Sequence, residues 1–275
     1  MISRNYYYLV AGLPDIILEQ NKLSFSLAEF RETLSTHLHA DDYLLVEKLF
    51  LPSDNRNILN MMLKNIGEFD EAGRFTFDEL EEEIKEPETL PAYLKTFISN
   101  FKENQPLNAD MSWEDQLSTL YYDYTENVNN GFLKEWFSFE RDIRNIFTGF
   151  TARRHKIQIE NRLIGDNLVT QAIRKSNARD FGLTSEFPYV EKLIQINENP
   201  NLLEREKAID QLKWNFIDEL NTFNYFTIEV ILGFVIKLSM VERWLKLDKK
   251  TGEEMFRKLV SDLENSYKFP KEFNV

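Results

Sequence analysis

The chain has 275 residues, no cysteine, and 46 acidic against 33 basic side chains, a formal net charge of −13. That balance excludes disulfide and zinc–thiolate chemistry and disfavours nucleic acid and anionic lipid, both of which draw on clustered Lys and Arg. A 43% hydrophobic fraction with 22 Phe, 11 Tyr and 4 Trp supplies ample core, while only 9 Gly and 8 Pro favour long helices over a turn-rich β fold.

The N-terminus, Met1 to Tyr6, lacks the apolar run of a signal peptide. Tyr6 to Val10 reads equally as a buried strand or as the first turns of a helix, broken at Gly12-Leu13-Pro14. Ser26-x-x-Glu29 is a capping box and predicts a helix to about His39. Asp41-Asp42 open the next helix, which Pro52 stops. Ser53-Asp54 open a third, with Ile58, Leu59, Met62, Leu63 and Ile66 as its apolar stripe and Gly67 as its end. Residues 67–91 are the most acidic stretch and read as a linker or hinge containing a short helix capped by Thr76-x-x-Glu79.

Pro91 to Phe101 predicts a short amphipathic helix, and Ser112 or Asp110 caps another that carries Trp113, Leu117, Leu120 and Tyr121. Tyr122 to Lys156 reads as two long helices or one bent one, and 157–186 as a continuing polar helix. Tyr189 to Asn197 is short, Leu202 to Leu220 is a strong helix, and Phe226 to Leu247 is apolar on most faces and belongs at the centre. Thr251-x-x-Glu254 caps a last helix, Met255 to about Tyr267. Glu229 and Lys237 interrupt the most apolar run, which is too short for the ~20 residues of a membrane span.

One motif occurs twice. Asp54-Asn55-Arg56-Asn57-Ile58 is echoed by Asp142-Ile143-Arg144-Asn145-Ile146, and each copy runs into an apolar stripe with a basic end, Lys64 in the first and Arg153-Arg154 in the second. A repeated supersecondary unit is the usual source of such an echo. Asp54 and Asp142 suit the capping of backbone N–H groups, and Asn57 and Asn145 lie three residues on along the same face. The expected role of Asp54, Arg56, Asn57, Asp142, Arg144, Asn145 and Arg153 is structural or at an interface: a polar pair that fixes a neighbouring loop.

Chemical motifs are missing. None of His37, His39 and His155 has Glu three residues before it, so a di-iron bundle is excluded. There is no phosphate-binding Gly-rich loop and no nucleophile elbow. Glu68 to Glu79 partly mimics a calcium loop, with Gly73 and Glu79 in register but Ala72 where an oxygen ligand belongs. No catalytic residue, cofactor, metal or small-molecule substrate is expected. The reading is all-α, two to three pseudo-repeated short-looped helical bundles in one elongated or funnel-shaped body. They divide as 1–90, ending in the acidic linker, then 91–186 and 187–275.

The repeated Asp-x-x-Asn-Ile segments with their basic ends resemble the C subunit of V/A-type rotary ATPases, the d subunit of vacuolar enzymes. Phe234 to Trp244 resembles a third, decayed copy that lacks the Asp and Asn. The opening Tyr6 to Pro14 also resembles an uncharacterised bacterial family held to supply this subunit, although Gly12-Leu13-Pro14 stands where the subunits usually carry an Arg-containing stretch. The resemblance implies a funnel of three helical bundles with no active site. It implies rotor-ring and shaft subunits as partners, and a cytoplasmic place on the membrane face held through them. A helical scaffold or adaptor unrelated to rotary ATPases is the alternative, and an enzyme with a carboxylate-lined pocket is a third reading.

Overall fold

The computed structural model describes residues 4–65 and 67–247. The described residues are all-α and contain no strand. They form α1 (Tyr7–Ala11), α2 (Leu27–His37), α3 (Ala40–Glu47), a 3-10 turn (Lys48–Phe50), α4 (Leu51–Leu63), α5 (Phe77–Lys85), α6 (Ala92–Lys102) and α7 (Trp113–Glu126). Then come α8 (Gly131–His155), α9 (Leu168–Lys175), α10 (Val190–Glu198), α11 (Leu202–Leu220) and α12 (Ile228–Lys246).

Local chemistry sets most of the helix starts. Ser26 and Thr76 each form a complete capping box, with Glu29 and Glu79 reaching back to the cap N–H. Asn201 Oδ1 accepts from the N–H groups of Leu203 and Glu204 and opens α11. Asn130 Oδ1 accepts from the N–H of Leu133 at 3.0 Å and opens α8. These contacts satisfy amide groups that the first turn of a helix leaves without partners.

Several expectations are corrected. Pro52 does not stop a helix; it lies in the first turn of α4, where its missing N–H costs nothing. Gly67 does not end α4; Lys64 does, in the left-handed region at φ 55°. Residues 157–186 are mostly loop, with α9 as their helix. Residues 113–155 form two helices, and α8 is one continuous rod of 25 residues. Asp142 therefore lies inside a helix rather than at its start. The segment at 67–76 does not hang free as a spacer but folds back onto α4, as described below. The last predicted helix, Met255 to Tyr267, and Ile66 lie outside the described residues.

The buried apolar side chains make one connected core, from Leu18 through to Val241. Contacts run from α4 to α7, α8, α10, α11 and α12, and α12 returns to α2 and α3. The circuit of packed helices thus closes on itself. Helix α12 is central, with Ile231, Leu232 and Val241 fully buried. Phe234 on α12 meets Phe25 and Phe30 with ring centroids 6.2 and 5.1 Å apart. The carboxylate of Glu242 accepts from the N–H of Leu27 at 3.1 Å, so α12 caps the first turn of α2. No helix among the described residues is long and apolar enough to cross a membrane.

Candidate functional site

The two motif copies meet the backbone in the same way. On α4, Asn57 Nδ2 donates to the carbonyl of Asp70 and Asn57 Oδ1 accepts its N–H, both at 2.9 Å. On α8, Asn145 Nδ2 donates to the carbonyl of Ile164 and Asn145 Oδ1 accepts its N–H, again both at 2.9 Å. Each carboxamide therefore pairs with one whole residue of the loop that follows its helix, as one strand pairs with another. Both asparagines are buried, and these bonds give the loop amides partners, which at the fully buried Ile164 water cannot reach to supply.

The surrounding geometry is also shared. Each helix ends on a lysine in the left-handed region, Lys64 and Lys156. Each end is closed by an N–H five residues past its acceptor: Asn65 donates to Asn60 O and Ile157 to Ala152 O, the pattern of a Schellman turn. Each loop then returns to its asparagine and runs into a short helix with a capping box, Thr76 with Glu79 before α5 and Asn167 with Thr170 before α9.

The aspartates act on the same loops. Asp54 Oδ1 accepts from the N–H of Arg74 at 2.8 Å, and Asp142 Oδ1 accepts from Asn167 Nδ2 at 2.7 Å. Neither caps its own helix. Gly73 is required beside Asp54: a Cβ there would lie 2.6 Å from Asp54 Oδ1. Asp54 Oδ2 is buried and has no hydrogen-bond partner.

Burial raises the Asp54 carboxyl from 3.8 to about 6, against the pull of the Arg74 N–H and charge. Burial raises Asp142 too, opposed by Asn167 and Arg141. The folded chain holds the Asp54 proton more tightly than the unfolded chain, so its contribution to stability is full below about pH 4 and is lost as pH rises through 6. Asp54→Asn is expected to gain about 2 kcal/mol on the wild type between pH 4.5 and 7.5, read from urea unfolding at the two pH values. Parallel pH profiles for the two proteins would refute the assignment.

The remaining motif residues diverge. Arg56 is exposed and pairs with Asp70 at 3.2 Å, on its own loop. Arg144 pairs instead with Asp115 at the start of α7, at 2.5 Å. Arg153 donates to the carbonyls of Ser176 and Ala178 and lies 3.8 Å over the Phe181 ring. The basic end of α8 thus grips the segment after α9, beyond any favourable interaction with its own helix dipole. Arg153 has no counterpart of this kind at Lys64, which is exposed.

The calcium-like loop is occupied by protein donors. Asp70 accepts from the Ala72 N–H and from Arg56, the Gly73 carbonyl accepts from Arg31, and Glu79 serves its capping box. His39 caps α3, while His37 and His155 end α2 and α8. Among the described residues no group of three or more His, Asp or Glu is placed to hold a metal ion.

Two hollows on the surface of the described residues bear on the site. One, about 400 Å³, lies between α4 and α5 beside Asn57, with Met61, Phe69 and Ile84 in its wall. The other, about 430 Å³, lies where α8 begins and α11 passes into α12, against Phe132, Leu220, Glu135 and Glu229. Neither was predicted from the sequence. The signal for the second was the run Asn221 to Thr227, which holds Phe223, Tyr225 and Phe226 and no charge.

These features define an all-α protein in which buried asparagines lock fold-back loops onto two of its helices. The family described as "Protein of unknown function (DUF2764)" matches residues 3–267, and the chain belongs to it. It is also similar to an uncharacterized protein of Chlamydia muridarum (strain MoPn / Nigg). The two are 21% identical over 168 residues, which cover 59% of this chain and 61% of that protein. The chain thus spans about three fifths of that relative's length. No solved structure matches it.

Proposed function

We propose that this chain is a non-catalytic central-stalk subunit of a V/A-type rotary ATPase. It would join the membrane rotor ring to the central shaft during ATP-linked ion transport. The observation that supports this reading most is the twofold occurrence of one unit: a helix with Asp-x-x-Asn, a left-handed lysine, a clamped loop and a capped short helix. Such a unit is expected of a chain built from repeated helical bundles, and Phe234 to Trp244 on α12 resembles a decayed third copy that lacks the Asp and Asn. The role needs stiffness rather than a reactive site. Loops pinned by buried amide pairs within a close-packed aromatic core resist deformation under torque.

The partners of this reading are the ring and shaft subunits. Its place is the cytoplasmic face of the membrane, reached through them. The test is a tagged pull-down from gently solubilised native membranes, followed by mass spectrometry. Recovery of catalytic and shaft subunits in fixed ratio is expected. Recovery of the chain alone, with an intact ATPase left behind, would overturn the reading in favour of a helical scaffold.

A further inference from the structure

We propose that the aromatic end formed by α1 and the α11–α12 turn, with the acidic hollow beside it, is a docking surface for a basic, apolar segment of another protein. The surface is argued from its own residues and stands whether or not the chain serves in a rotary ATPase.

The aromatic side chains here face water. Tyr8 is 85% exposed, Phe223 86% and Tyr225 69%, and Tyr7 and Phe226 are exposed beside them. Two distant segments build this end together. The N–H of Tyr6 donates to the carbonyl of Phe226 at 2.6 Å, and the Tyr7 and Phe226 rings lie 4.7 Å apart. Asn5 to Pro14 and Asn221 to Thr227 contain no charged side chain. Scattered apolar residues on a surface mean little, but a contiguous group marks an interaction site.

The turn is held in shape. Asn221 Nδ2 donates to Glu229 O, Asn224 Nδ2 donates to Leu220 O and Asn221 Oδ1, and Thr222 Oγ1 donates to Glu219 O. A surface that is already ordered loses less entropy when it binds.

Charge selects the occupant. Phe132 and Leu220 give the hollow apolar walls, and its two ionisable lining groups are the carboxylates of Glu135 and Glu229. Asn130 Nδ2 donates to Glu229 at 2.9 Å and fixes one of them. At Gly131 an added Cβ would meet nothing within 4 Å, so the floor beside the carboxylates is open. A Lys or Arg side chain can pair with Glu135 or Glu229 while its neighbours stack on Tyr8, Phe223 and Tyr225. An anionic membrane is repelled by these carboxylates. A second copy of the chain, which also carries −13, is repelled likewise.

The test uses the full chain and two fluorescent amphipathic peptides of one spacing, one of Leu and Lys and the other of Leu and Glu. Anisotropy is expected to show the Leu/Lys peptide binding at least about tenfold tighter, a difference of ~1.4 kcal/mol. Glu135→Lys, and separately the pair Phe223→Ser with Tyr225→Ser, are expected to weaken it by about tenfold. Glu206→Lys on α11 changes net charge by the same amount away from the surface and is expected to leave binding unchanged. Glu135 and Glu206 are exposed, so these two variants test the surface even if the aromatic pair fails to fold. Equal loss in Glu135→Lys and Glu206→Lys would mean bulk charge attraction and would overturn the proposal. Equal affinity for both peptides would also overturn it. So would adhesion to phosphatidylcholine vesicles that the aromatic pair abolishes while peptide binding persists.

Discussion

Replacing Asn145 with alanine is expected to lower the unfolding free energy by about 4 kcal/mol. The change strands the N–H and the carbonyl of Ile164, a residue with no exposure to water, and each stranded group costs about 1–3 kcal/mol. Asn57→Ala removes the same two bonds from Asp70 and is expected to cost only about 2 kcal/mol. Asp70 is half-exposed, so water can replace much of what the asparagine supplied. Asn145→Asp keeps the acceptor but loses the donor and buries a charge, and is expected to be no better than alanine. Urea titrations with an unchanged slope would give all three values. Equal costs at the two sites would show that burial of the loop residue does not govern the clamp.

Gly149→Leu on α8 is expected to destabilise the fold by about 3 kcal/mol. A Cβ at 149 would lie 2.7 Å from Phe181 Cζ and 3.0 Å from Ile173 Cγ2. Phe181 cannot step aside. It is buried, its backbone is left-handed at φ 57°, it stacks on Phe150, and Arg153 covers its face. Overpacking of such a site costs about 1–3 kcal/mol and sometimes more. Gly131 at the start of the same helix supplies the contrast. Its surroundings are open, so Gly131→Ala is expected to be neutral or to stabilise by a few tenths of a kcal/mol, ~0.5 at most. Thermal melts of the two variants would separate packing from helix propensity. A Gly149→Leu protein that melts with the wild type would remove Phe181 as the obstacle.

The helix class was legible because its signals are local. Ser26 with Glu29 and Thr76 with Glu79 are read within four residues, and both boxes form. Helix α11 has the predicted bounds because Asn201 and the apolar spacing agree. The start of α8 was missed because an apolar stripe looks the same in mid-helix as at an end. Asn167 was missed because Thr170, not Glu, completes its box. The motif itself was visible as a pattern. Its action joins residues 13 and 19 positions apart, which no helical period connects. Asn221 to Asn224 read only as a break between helices, and Phe226 as the start of the next helix, which begins instead at Ile228. The union of this turn with α1 depends on a contact between residues 6–7 and 226, far apart in the chain.

The closure of the packing circuit has a consequence in time. The amide of Leu27 finds its acceptor, Glu242, 215 residues later in the chain. At about 5–20 residues per second, a ribosome makes residue 242 about 10–40 s after residue 27. For that interval α2 can start on its own capping box, but the aromatic faces of Phe25 and Phe30 have no Phe234 to cover them. The nascent chain must therefore either shield that face with a temporary partner or hold its first helices loosely until α12 emerges.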